Sequence, residues 1–149
     1  MGLDAGFWPE GTADYCREAN GETLVVVQIE TPQALENLEA IAAVPGVDVL
    51  FLGPGDLSLR LGCGAGAHDP RMMEVQSQLA TVARKHGKAW GRPVDGPDEV
   101  KGLEQMGAQL LVLGNEFVAV YSCLRAWGAE FDAALGEASA GKDVAISQD

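Results

Sequence analysis

LVVVQIETPQALENLE, residues 24–39, decides the fold. Its opening run, Leu24 to Ile29, is continuous and mostly β-branched, the composition of a strand buried on both faces. Thr31 then offers a side-chain oxygen where a helix needs an N-cap. Pro32 has the fixed φ and missing N–H that suit a first helical residue. Leu35, Leu38, Ile41 and Ala42 recur at helical spacing on one face, and Pro45-Gly46 ends the helix. The stretch therefore reads strand, turn, helix. Its strand closes on Gln28 and Glu30, which the two-residue alternation of strand side chains puts on the same face. A buried carboxylate is costly unless it is paired, protonated or bound to a cation. A polar pair at the end of an apolar strand is thus expected to line a site.

The same cycle recurs along the chain. Val47 to Leu52 predicts a second buried strand, followed by a loop over residues 53–69. Asp69 and Pro70 open a helix with Met72, Val75, Leu79, Val82 and His86 on one stripe, closed by Gly87. Lys88 to Val94 predicts a third strand, interrupted by Gly91 and Pro93. Pro97 starts a short helix carrying Val100 and Leu103 and ending at Gly107. Leu110 to Leu113 is a fourth strand. A last helix carries Phe117, Val120, Leu124, Trp127, Phe131 and Leu135 as one apolar stripe, suited to a core or to a contact between subunits. Buried strands alternating with helices imply parallel pairing with right-handed crossovers. A (β/α)8 barrel takes eight such units and about 250 residues. Four units predict an α/β fold that is either an open sheet or half of a barrel. The expected organisation is one domain over residues 1–149: a leading segment with a short helix at 1–22, four β-α units at 23–135, and a flexible polar tail at 136–149.

Composition narrows the function. With 47% apolar residues the chain can build a core, and its net charge of -12, from 22 acidic and 10 basic residues, argues against nucleic acid or an anionic membrane as partner. A small anionic substrate remains compatible, because a bound divalent cation reverses the local field. The three cysteines, Cys16, Cys63 and Cys123, form no metal-binding spacing and suit a reducing, cytoplasmic setting. The opening residues show no secretory pattern and only the first two residues of a myristoylation motif. No apolar run approaches the roughly 20 residues of a membrane span.

Sites in parallel α/β folds form at the carboxyl ends of strands. Glu30 ends the first strand and Asp56 lies just beyond the second. Two carboxylates from neighbouring strand ends suit a hard cation such as Mg²⁺ or Mn²⁺, with water and substrate oxygens completing its shell. The alternative is that Glu30 is a first-turn helix acid and Asp56 caps a turn. Gly53 and Gly55 allow a backbone to approach a ligand and Pro54 stiffens the turn between them. His68 reads as a solvated loop residue and His86 as a helix-end residue. Arg92, on one strand face with Trp90, stands between meeting an anionic substrate and a surface or strand-edge role.

VVVQIET (25–31), GVDVLFLGPGDLS (46–58), HGKAWG (86–91) and GAQLLVLGNE (107–116) together resemble the HpcH/HpaI aldolase family over about residues 12–135. That resemblance implies the carboxyl-terminal half of a TIM barrel. It implies a carbon–carbon lyase acting on 4-hydroxy-2-oxo acids through pyruvate, dependent on Mg²⁺, Mn²⁺ or Co²⁺. It makes Glu30 and Asp56 metal ligands, puts Gln28 beside the bound oxo acid, and gives the Pro54-Gly55-Asp56 backbone the pyruvate carboxylate. Gly55 departs mildly from the alanine usual in that loop. The resemblance begins near the family's fifth strand, so the His-Asp base and the enolate-steadying Arg belong to strands this chain lacks. It also implies a homo-oligomer, since the family's last helix commonly packs on a neighbouring subunit. The competing expectation is a truncated, non-catalytic half-barrel that binds metal or self-associates.

Overall fold

A computed structural model describes residues 12–64 and 69–136. They form α1 (Thr12–Glu22), β1 (Val26–Ile29), α2 (Pro32–Glu36), α3 (Leu38–Ala42), β2 (Val49–Leu52), α4 (Pro54–Leu61), α5 (Pro70–Lys85), β3 (Ala89–Val94), a 3-10 turn at Pro97–Glu99, α6 (Val100–Gln105), β4 (Leu110–Leu113) and α7 (Glu116–Leu135). The sheet order is β1-β2-β3-β4. Val26 to Ile29 pair in parallel with Val49 to Leu52, and Val49 to Phe51 with Ala89 to Gly91. Four consecutive parallel strands with a helix after each are the expected α/β units.

One face of the sheet carries the core. Ile29, Leu50, Leu52 and Trp90 pack with Leu38 and Ala42 of α3, Leu57 of α4, Met72 and Leu79 of α5, and Leu103 of α6. Covering on that face alone shortens and exposes the first strand relative to expectation. β1 has four residues, and Val25 and Val26 are 46% and 45% exposed while Ile29 is fully buried. Alternation then leaves Gln28 and Glu30 on the face without helices.

Three further corrections are local. Thr31 does cap the following helix, accepting from the Ala34 N–H at 3.0 Å. The helix breaks at Asn37, whose side-chain amide donates to the Gln33 carbonyl at 2.7 Å, so α2 and α3 are separate turns. The expected loop after β2 contains a helix, α4, which begins at Pro54 and ends where Gly62 adopts φ 66°. The glycine that weakened the reading of β3 is required there. A Cβ on Gly91 would overlap the Leu110 carbonyl group as β4 passes. Pro93 sits at an exposed position of the same strand.

The chain divides into two compact units, Met1–Val112 and Leu113–Asp149. In the second, Asn115 caps α7 by accepting from the Val118 N–H at 2.8 Å, and the helix has no buried residue. Its stripe of Phe117, Val120, Leu124, Trp127, Phe131 and Leu135 is exposed. Among the described residues no helix is long and apolar enough to cross a membrane. The tail from 137 onward, the opening residues 1–11 and His68 lie outside the described residues.

Candidate metal and substrate site

β1 delivers Gln28 and Glu30 to its carboxyl end. The Gln28 Nε2 donates to the Glu30 Oε2 at 2.7 Å, so the amide fixes the carboxylate from the side. A hydrogen bond to a charged acceptor is shorter and stronger than a neutral one. Glu30 is half-buried and Gln28 exposed. The pair is therefore reachable by solvent and by ligands.

β2 brings the second carboxylate. Ile29 is in register with Leu52, so Glu30 stands next to Gly53, three residues ahead of Asp56. The Gly53 N–H donates to the Ile29 carbonyl at 3.0 Å, which extends the ladder to the mouth of the site. A Cβ at Gly53 would come within 2.8 Å of Gln28 Nε2 and 2.9 Å of Glu30 Cβ. The residue must be glycine because the neighbouring strand fills its side-chain space. By contrast, a Cβ at Gly55 would meet nothing within 4 Å. The protein contact that excludes a side chain falls at Gly53, against Gln28 and Glu30, while the space beside Gly55 is open. Recognising that needs the register between two strands, which neither segment shows by itself.

Asp56 lies exposed in the first turn of α4, whose Gly53 N-cap makes no side-chain cap bond. Pro54 has no N–H, and among the described residues no side chain accepts from the first-turn amides of Gly55 and Asp56. The residues fit a hard divalent cation by donor chemistry. Among the described residues no group of three or more His, Cys, Asp or Glu gathers at one point. Two carboxylates with water and substrate oxygens are a common set for Mg²⁺ or Mn²⁺, which retain several waters.

The other polar residues are engaged elsewhere. His86 Nε2 meets Glu39 Oε2 at 2.6 Å and Lys85 Nζ meets Glu39 Oε1 at 2.9 Å, joining α5 to α3. His86 precedes β3, at the end of the sheet opposite Glu30. The Lys85 ammonium, then the His86 ring, hold the Glu39 carboxyl below the usual range for its type. Arg92 is 4% exposed on the helix-covered face and pairs with Glu99 at 3.2 Å. It takes neither of its expected roles: it is away from the carboxylate pair and is not at a strand edge. Its alternation with buried Trp90 was the available signal.

Comparison with known proteins gives the family of the chain. The family model described as HpcH/HpaI aldolase/citrate lyase matches residues 10–122. A 4-hydroxy-2-oxo-heptane-1,7-dioate aldolase from Escherichia coli is 38% identical over 107 residues, covering 72% of this chain and 38% of the relative. The enzyme of the same name from Klebsiella pneumoniae is 40% identical over the same coverage. The crystal structure of an HpcH/HpaI aldolase from Desulfitobacterium hafniense superposes with a TM-score of 0.72 at 28% identity, over 84% of this chain and 48% of that one. The chain thus spans under half the length of these curated relatives, and about half of the solved structure. Its four β-α units correspond to the carboxyl-terminal half of a (β/α)8 barrel, and the chain belongs to the HpcH/HpaI aldolase/citrate lyase family.

Proposed function

We propose that the chain carries the metal- and oxo-acid-binding half of a carbon–carbon lyase for 4-hydroxy-2-oxo acids with pyruvate as the shared fragment. The observation that carries this reading is the Gln28–Glu30 hydrogen bond at the carboxyl end of β1, seated against Gly53. Glu30 and Asp56 would hold Mg²⁺, Mn²⁺ or Co²⁺. When bound, the cation supplies Lewis acidity toward the oxygens of an oxo acid. Gln28 orients Glu30 and faces the substrate from the same strand face. The Pro54-Gly55-Asp56 segment offers the uncapped amides of α4 to the pyruvate carboxylate. The substrate class follows from the aldolases that the chain resembles. The three unpaired cysteines support a cytoplasmic setting, and the exposed stripe of α7 supports a homo-oligomer.

A second reading has its own support: the chain by itself binds without turning over. Proton transfer needs a base within hydrogen-bond reach of the substrate. His86 lies at the far end of the strands and is engaged with Glu39. General acid–base groups contribute about 10² to 10⁴ in rate. A coupled pyruvate assay separates the two readings. The 149-residue chain is expected to release little pyruvate from a 4-hydroxy-2-oxo acid. A barrel completed with four preceding β-α units, its folding checked by circular dichroism, is expected to release pyruvate only with metal and to stop in Glu30→Ala. Robust turnover by the short chain, abolished in Glu30→Ala, would place a base within it. No turnover by the completed, folded barrel would remove the lyase reading.

A further inference from the structure

A cavity of about 220 Å³ opens beside the leading ends of β3 and β4, walled by Arg84, Lys88, Trp90, Met106, Gly107 and Gln109. Lys88 immediately precedes β3 and Gln109 immediately precedes β4. Glu30 and Asp56 follow the other ends of their strands. Six residue steps from Lys88 to Val94, at about 3.3 Å each, separate the two ends by roughly 20 Å. The cavity is therefore distinct from the candidate metal site.

Three of its polar groups, on Trp90, Arg84 and Lys88, are under-partnered donors among the described residues. Trp90 is 2% exposed, and its indole Nε1–H has no hydrogen-bond partner among the described residues. A buried donor left unsatisfied is costly, so a native structure normally supplies it an acceptor. That nitrogen is 3.9 Å from where a Cβ on Gly107 would stand, so it lies beside another wall of the same cavity. Arg84 makes one long bond, from Nη2 to the Met106 carbonyl at 3.4 Å, and pairs with no carboxylate among the described residues. Lys88 has no ion-pair partner among them either. Two uncompensated cations at one cavity are notable in a chain of net charge -12. Neighbouring Lys85 and His86, by comparison, share Glu39. No carboxylate among the described residues lines the cavity. The carboxyl end of α5 presents about half a negative charge to this region, which two full positive charges outweigh.

We propose that this cavity binds a small oxyanion, a carboxylate or a phosphate. Lys88 and Arg84 supply the charge, and the Trp90 indole donates to one of the anion's oxygens. The Gln109 side-chain amide and the planar fork of Arg84 provide the further donors such a group requires. A ligand there stabilises the junction of α5, β3 and β4 by mass action without competing at the carboxyl ends of the strands. The proposal does not depend on the lyase reading.

The test follows the indole N–H of Trp90 by proton–nitrogen correlation spectra of the 149-residue protein, its resonance assigned with Trp90→Phe. Inorganic phosphate and succinate are titrated in separate arms at constant ionic strength held with sodium chloride. The Trp90 resonance is expected to move and saturate while the other two indole resonances stay in place. Arg84→Met and Lys88→Met, both at solvent-reachable side chains, should each raise the midpoint about tenfold with the fold retained. Saturation by both anions assigns a general oxyanion site, and saturation by one fixes the class. A Trp90 resonance that stays put in both arms, or drifts linearly and equally in Lys88→Met, would overturn the proposal.

Discussion

Gly53 has no side chain because Gln28 and Glu30 occupy the volume one would fill, with contacts of 2.8 and 2.9 Å to any added Cβ. The Gln28 amide is the end of a flexible side chain and can yield. The Glu30 Cβ is attached to the strand and cannot. Overpacking of this kind costs about 1 to 3 kcal/mol. Gly53→Ala is expected to lose that much in urea denaturation and to displace Gln28 and Glu30, weakening Mn²⁺ binding as well. Wild-type stability in that variant would mean that the strands separate freely at this point. The placement of Gln28 and Glu30 on one strand face was legible in the sequence, since strand side chains alternate. The steric role of Gly53 was not, because it arises from pairing between segments over twenty residues apart.

At the scale of elements, α5 forms as its end signals predict, whereas α4 and the break between α2 and α3 depart from expectation. Asp69 and Pro70 mark the start of α5, and Asp69 accepts from the Arg71 N–H at 2.9 Å. α4 was read as loop because Gly-Pro-Gly signals a turn, although Pro54 also suits a first helical residue. Leu57 and Ser58, both buried, supply its packing. Asn37 interrupts one apolar stripe without disturbing it: Leu38 and Ala42 still reach the core. The clamp of Lys85 and His86 on Glu39 ties α3 to α5 across 46 and 47 residues, a distance no local pattern reveals. Its pH behaviour has a defined sign. The folded-state pKa of Glu39 lies below its ordinary value near 4.5. The stabilisation is therefore fully present above that ordinary value and is lost as pH falls through the depressed one. Thermal unfolding between pH 3 and 7 should show this loss on the acid side, and Glu39→Gln should flatten it. An acid limb identical in both proteins would remove the clamp from the account of stability.

For the whole molecule, the four-unit α/β reading and the half-barrel expectation both hold, since strand-helix alternation is written into local patterns. The fully buried β1 does not hold, because its apolar run reads identically whether one face or two are covered. Exposed apolar surface remains on α7, where Phe117 and Tyr121 stack at 6.2 Å and Arg125 lies 5.8 Å over the Tyr121 ring. A patch of that kind marks an interaction surface. We expect light scattering at tens of micromolar, an affinity regime of about -6 to -7 kcal/mol, to report a dimer or larger species, and Trp127→Glu with Phe131→Glu to shift it toward monomer. A clean monomer in the wild-type chain would contradict the assignment. The central claim is that Glu30, just past β1, and Asp56, in the first turn of α4 after β2, form one cation site. Calorimetric titration of the 149-residue chain with Mn²⁺ tests it most directly: a single weak site is predicted, lost in Glu30→Ala and in Asp56→Asn, and binding unchanged in Glu30→Ala would contradict it.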